Sequence, residues 1–121
     1  AAQRLLNEAA RYLGTPYVWG GYSPSGFDCS GFVSYCLTHS GVRNTGRLTA
    51  QGLYDICTPV SQSEAQPGDL IFFTGTYDAG VPVTHIGIYV GNGQMIHCGH
   101  PVQYSINSPY WQSHFYGFGR W

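Results

Sequence analysis

Apolar residues recur at helical spacing early in the chain and alternate in its second half. Leu5, Leu6, Ala9, Ala10 and Leu13 fall three and four apart, and Gly14 closes that segment ahead of Pro16. Residues 17–27 are rich in Gly, Ser and Pro and read as an irregular loop. A second helix is predicted from about Cys29, with Phe32, Val33, Cys36 and Leu37 as its buried stripe and its end near Gly41. Thr49 is placed to cap a short third helix reaching Cys57, with Leu53 and Ile56 facing inward. After Pro67-Gly68-Asp69 the apolar period drops from 3.6 to 2. Strands are then predicted over residues 70–73, 85–90, 94–98 and 116–121. Helices first and antiparallel strands second make an α+β chain, with N-terminal helices packed on one sheet. No internal repeat, low-complexity tract or linker interrupts it.

At 121 residues this is one domain with a single modest core. Charged residues are only 9% of the chain and aromatics 16%. There is no lysine, and Arg4, Arg11, Arg43, Arg47 and Arg120 are scattered. Nucleic acid is therefore not an expected partner, because phosphate binding needs clustered cations. No apolar run approaches the roughly 18 residues of a membrane span. No charged segment followed by an apolar one opens the chain, which starts directly in a helical pattern. It reads as a module of a longer protein, with targeting information outside it.

Cys29, Cys36, Cys57 and Cys98 lack C-x-x-C spacing and a matched histidine pair, so no metal site is expected. A disulfide among Cys36, Cys57 and Cys98 is open in an oxidising compartment. Small buried thiols filling core gaps is the better reading.

Chemistry concentrates in two places. Asp28-Cys29-Ser30-Gly31 puts a thiol where a loop becomes a helix, and Thr84-His85-Ile86-Gly87-Ile88 puts an imidazole at the mouth of a strand. A helix N-terminus and a nearby imidazole both favour a reactive thiolate, so a lowered Cys29 pKa and a Cys-His hydrolase of papain-like logic are expected. Each residue also has an inert explanation: a buried cysteine is usually unreactive, and a strand histidine is usually structural.

The strand bearing His85 has an apolar face, Ile86, Ile88 and Val90, and a second face of His85, Gly87 and Tyr89. The turn at Gly91-Asn92-Gly93 decides which later residue approaches His85. A three-residue loop pairs Val90 with Gln94, sends Ile96 and Cys98 to the apolar face and sets His97 diagonally beside His85. A two-residue Asn-Gly loop shifts the register by one and sets His100 opposite His85. The apolar pattern favours the first, with His97 as the group orienting His85 and His100 as the fallback.

Five blocks of the chain resemble the NlpC-type cell-wall cysteine peptidases, in that family's order and at its intervals. They are residues 14–21 (Gly-Thr-Pro-Tyr-Val-Trp-Gly-Gly), 28–33 (Asp-Cys-Ser-Gly-Phe-Val), 67–70 (Pro-Gly-Asp-Leu), 85–89 (His-Ile-Gly-Ile-Tyr) and 95–97 (Met-Ile-His). The resemblance implies a permuted papain-like fold and a single NlpC-type catalytic domain over residues 1–121. It implies a cysteine endopeptidase cutting peptidoglycan stem peptides, typically between γ-D-glutamate and the following diamino acid. Carried over by position, Cys29 would be the nucleophile, His85 the general base and acid, and His97 the orienting residue. Tyr17 would lie near the developing oxyanion. Asp28 and Ser30 would contact the amino-terminal side of the stem peptide, and Asp28 also suits a helix cap. Trp19 would be a pocket wall.

Two other readings remain. An amidase-type cell-wall hydrolase would share the cysteine, histidine and fold, and a wall-binding module would carry a dead site. The blocks at residues 17–21 and 95–97 favour the endopeptidase, and an intact Cys29, His85 and His97 is more than a binder needs. No metal or organic cofactor is called for. The implied partners are a stem peptide or muropeptide, with further wall-binding or lytic domains in a longer protein. The implied location is secreted or at the cell envelope.

Overall fold

The computed structural model describes residues 1–121. Three helices precede most of the sheet: α1 (Ala2–Ala10), α2 (Cys29–His39) and α3 (Ala50–Ile56). A two-stranded hairpin, β1 (Tyr22–Ser23) and β2 (Gly26–Phe27), joins the first two. Then follow β3 (Thr58–Val60), β4 (Leu70–Thr74), β5 (Val83–Gly91), β6 (Gln94–Cys98), β7 (Val102–Ile106), α4 (Pro109–His114) and β8 (Phe115–Arg120). The six later strands form one antiparallel sheet in the order β3-β8-β4-β5-β6-β7. This is the α+β architecture that the periodicity implied.

The helical stripe and one sheet face meet in a single core. Phe32, Val33, Cys36 and Leu37 of α2 are fully buried with Leu5, Leu53, Leu70, Phe72, Ile86, Ile88, Ile96 and Cys98. Emptying such a site, as in Phe32→Ala, costs about 3–5 kcal/mol in comparable cores. All four cysteines are free thiols, three of them buried. The Pro67-Gly68-Asp69 block is a fastener. Buried Asp69 takes both Nε and Nη2 of Arg120 at 2.8 Å, joining the start of β4 to the end of β8.

Several local expectations needed correction. Residues 17–27 are not wholly irregular: they hold the β1–β2 hairpin, and Tyr17 bridges Phe27 alongside it. α1 stops at Ala10, and Leu13 beyond it is exposed. Ile56, expected inside, lies at the last turn of α3 and is exposed. β3 carries Pro59, which only a sheet edge tolerates, and it is an edge strand. β7, the other edge, exposes Tyr104 and Ile106, so its alternation buries little. α4 does carry signals: Ser108 caps it through the Trp111 N–H, and Pro109 opens it.

The hairpin after β5 combines the two registers considered. Its turn is the two-residue Asn92-Gly93, both at positive φ (53° and 73°), as a tight hairpin turn requires. Yet Ile88 pairs with Ile96 and Tyr89 with Met95, the register of the longer loop. A bulge between Tyr89 and Gly91 absorbs the extra residue. Ile96 and Cys98 are thereby kept in the core.

Candidate active site

Cys29 is the first residue of α2, and its position is locked by the loop before it. Asp28 caps the helix, its Oδ1 accepting the Gly31 N–H at 2.7 Å. The Asp28 N–H donates to the Gly21 carbonyl at 3.1 Å. Gly31 must be glycine, because a Cβ there would lie 1.9 Å from the Gly21 oxygen. This close approach seats residues 17–21 against the start of the helix. Their shared surface is an open groove of about 580 Å³ whose lining includes Tyr17, Trp19, Asp28, Cys29, Ser30 and Arg47.

Arg47 was not singled out from the sequence, where it was one of five scattered arginines. Its Nη2 pairs with Asp28 Oδ2 at 2.6 Å and its Nη1 donates to Ser30 Oγ at 3.0 Å. Asp28 Oδ2 also accepts the Gly20 N–H at 3.1 Å. Asp28 and Ser30 thus hold a cation in the groove beside Cys29. Trp19, the most exposed of the large hydrophobic side chains, also lines the groove and meets Tyr77 edge to face at 5.5 Å.

The histidines form a second cluster, and neither of them lines the groove. His85 Nε2 and His97 Nδ1 are 2.9 Å apart, and His97 Nε2 lies 2.7 Å from Ser105 Oγ. Trp111 of α4 covers both rings, stacked on His85 at 5.0 Å and edge-on to His97 at 5.2 Å. His100 is exposed and 6.0 Å from the Tyr17 ring, away from this pair. The link between clusters is Thr84. Cys29 Sγ donates to its carbonyl at 3.9 Å, and no hydrogen bond joins Cys29 to the His85 ring.

The resting charges differ from the expectation of a thiolate. Burial, reinforced by the Asp28 carboxylate, pushes the Cys29 thiol up to about 11. Burial and then the neighbouring His97 lower His85 to about 3, and burial lowers His97 to about 4. The helix N-terminus does not prevail, because the sulfur is desolvated and the imidazole is engaged elsewhere. At neutral pH the site holds a neutral thiol and two neutral imidazoles. Burial, with Cys29 and Asp28 nearby, raises Tyr17 to about 12, so its hydroxyl stays a donor.

Comparison with known proteins decides the family. The NlpC/P60 family matches residues 14–120. This chain belongs to the NlpC/P60 family. It is 45% identical over 121 residues to the bifunctional muramidase/DL-endopeptidase CwlT of Bacillus subtilis, covering 98% of this chain and 36% of CwlT. It is 48% identical over 118 residues to the probable endopeptidase p60 of Listeria seeligeri, covering 96% of this chain and 21% of that protein. The crystal structure of an NLP/P60-family protein from Staphylococcus aureus Mu50 superposes with a TM-score of 0.92 at 44% identity. That match covers 98% of this chain and 40% of the other. This NlpC/P60 domain thus spans well under half the length of these relatives.

Proposed function

We propose that this domain is a cysteine endopeptidase that hydrolyses peptidoglycan stem peptides between γ-D-glutamate and the following diamino acid. One observation carries the reading: a thiol at a helix N-terminus lining a groove, in contact with the strand whose His85 is hydrogen-bonded to His97 of the next strand. The names of its relatives, a DL-endopeptidase among them, support the same chemistry.

The geometry supports a neutral general-base route. His85 Nε2 is engaged by His97, so Nδ1 is the nitrogen left to take the thiol proton. Bound substrate displaces Cys29 Sγ from the Thr84 carbonyl, and sulfur attacks the scissile carbonyl as its proton passes to His85. Tyr17 Oη and the Cys29 backbone N–H stabilise the oxyanion, each worth about 3 kcal/mol in comparable sites. His85 returns the proton to the leaving amine, leaving a thioester on Cys29. Water, deprotonated by the same nitrogen, then releases the acid and restores the thiol.

Specificity follows from Arg47. A γ-linked glutamate keeps its α-carboxylate free, and a guanidinium beside the nucleophile suits it. Asp28 and Ser30 orient that guanidinium and face the amino-terminal side of the peptide. Trp19 and Tyr77, in contact edge to face, add an aromatic wall to the groove. Action on peptidoglycan calls for a location outside the cell or at its envelope, and the greater length of the relatives suits additional domains alongside this one. Mass spectrometry of fragments released from diaminopimelate-type and lysine-type peptidoglycan tests the reading and identifies the diamino acid.

A further inference from the structure

Beyond Cys29, His85 and His97, the hydrogen-bonded chain has a fourth member. Ser105 lies on β7, opposite Met95 in the β6–β7 pair, and its Oγ is 2.7 Å from His97 Nε2. Neither its residue type nor its distance in sequence marks it out. The sheet brings it there because His97 pairs with Gln103, and Ser105 lies two residues further on, on the same face.

We propose that Ser105 is a positioning residue that holds His97, and through it His85, in the protonation pattern required for proton abstraction from Cys29. This inference rests on the catalytic reading of His85 and His97 given above.

Neutral imidazole carries one N–H, and the chain can run in two directions. In the productive direction His85 Nδ1 is bare, its Nε2–H donates to His97 Nδ1, and His97 Nε2–H donates to Ser105 Oγ. In the reverse direction His97 Nδ1–H donates to His85 Nε2, and His85 Nδ1 carries the hydrogen and cannot accept one. Both rings are neutral at working pH, since burial holds them there, so the choice is one of tautomer and not of charge. The Ser105 hydroxyl can accept from or donate to His97 Nε2 at rest. Once His85 has taken the thiol proton only the productive direction is left, and Ser105 Oγ then accepts the terminal N–H. Trp111 closes over both rings, so the hydroxyl is the nearest polar partner of this nitrogen.

Ser105 and Trp111 also line a cavity of about 230 Å³ on the sheet face away from α2. Water from it can partly replace a deleted hydroxyl. The effect of Ser105→Ala is therefore smaller than that of removing His97.

The test is a double-mutant cycle on a soluble muropeptide with Ser105→Ala, Ser105→Thr, His97→Ala and the Ser105→Ala/His97→Ala pair. Ser105→Ala should lower kcat by roughly three- to thirty-fold with KM within about two-fold, and Ser105→Thr should restore kcat. In the His97→Ala background the serine should no longer matter. Histidine ¹⁵N spectra provide a readout independent of turnover: the His97 Nε2 resonance should move in Ser105→Ala and return towards its wild-type position in Ser105→Thr. A Ser105→Ala kcat within about two-fold of wild type, beside a deeply impaired His97→Ala, overturns the proposal and leaves the histidine pair standing. An unimpaired His97→Ala overturns both, and is recognised by that variant alone.

Discussion

His85 Nε2 lies 2.9 Å from His97 Nδ1, leaving Nδ1 as the free nitrogen of the His85 ring. That contact depends on the bulge between Tyr89 and Gly91, which offsets the tight Asn92-Gly93 turn and keeps His97 on the face of His85. His100, which the uncorrected tight turn would have set opposite His85, is exposed near Tyr17.

Removing these two histidines should therefore have unequal effects. His97→Ala is expected to reduce kcat by roughly ten- to a thousand-fold, less than loss of a carboxylate in related triads. His100→Ala should change it by under about three-fold. Steady-state kinetics at matched Tm checks the ranking, and the reverse order would contradict the relay.

Tyr17→Phe deletes one hydroxyl and leaves the ring in place. That hydroxyl stays protonated far above neutral pH; if it donates to the oxyanion as proposed, kcat should fall by roughly ten- to a thousand-fold while KM changes less. An unchanged kcat would reduce Tyr17 to packing against His100.

The thiol makes a prediction about the free enzyme. Because burial holds Cys29 near 11 and His85 near 3, the free site should rest as a neutral thiol and a neutral imidazole and not as an ion pair. Alkylation of Cys29 by iodoacetamide should climb by about tenfold per pH unit from pH 8 to 10. A plateau already reached between pH 6 and 7 would show a resting ion pair and return the site to the thiolate expected from the sequence.

Acid stability follows from the same burial. Both histidines have folded pKa values below the unfolded 6.5, so folding favours their neutral forms and the unfolded chain binds more protons. Their contribution is complete above about pH 6.5 and is lost as pH falls toward the folded values of about 4 and 3. The Tm should fall between pH 6.5 and 5, before most carboxylates titrate, and fall less steeply in His97→Gln. Equal slopes would mean that His97 is not held neutral by the fold.

What the sequence made legible was what repeats along it. The α2 stripe, the caps at Asp28 and Thr49 and the apolar alternation of β5 and β6 are periodic or local signals, and each has its counterpart in the structure. Edge strands escaped because their apolar side chains face solvent, as Tyr104 and Ile106 do. Arg47, Ser105 and Trp111 escaped because only the folded chain brings them to Asp28, His97 and His85. The charge state of Cys29 escaped for another reason: helix position is visible in sequence, whereas desolvation depends on everything packed around it.

The most direct measurement combines the nucleophile with the bond. Wild type and Cys29→Ala are incubated with a purified disaccharide-tetrapeptide muropeptide, and the products are resolved by mass spectrometry. The wild type should release one fragment ending in γ-D-glutamate and another beginning with the free diamino acid. Cys29→Ala, at unchanged Tm, should retain less than about one-hundredth of that activity. Comparable cleavage by Cys29→Ala, a wild-type cut at the lactyl–alanine amide, or wild-type binding without any cleavage would contradict the account.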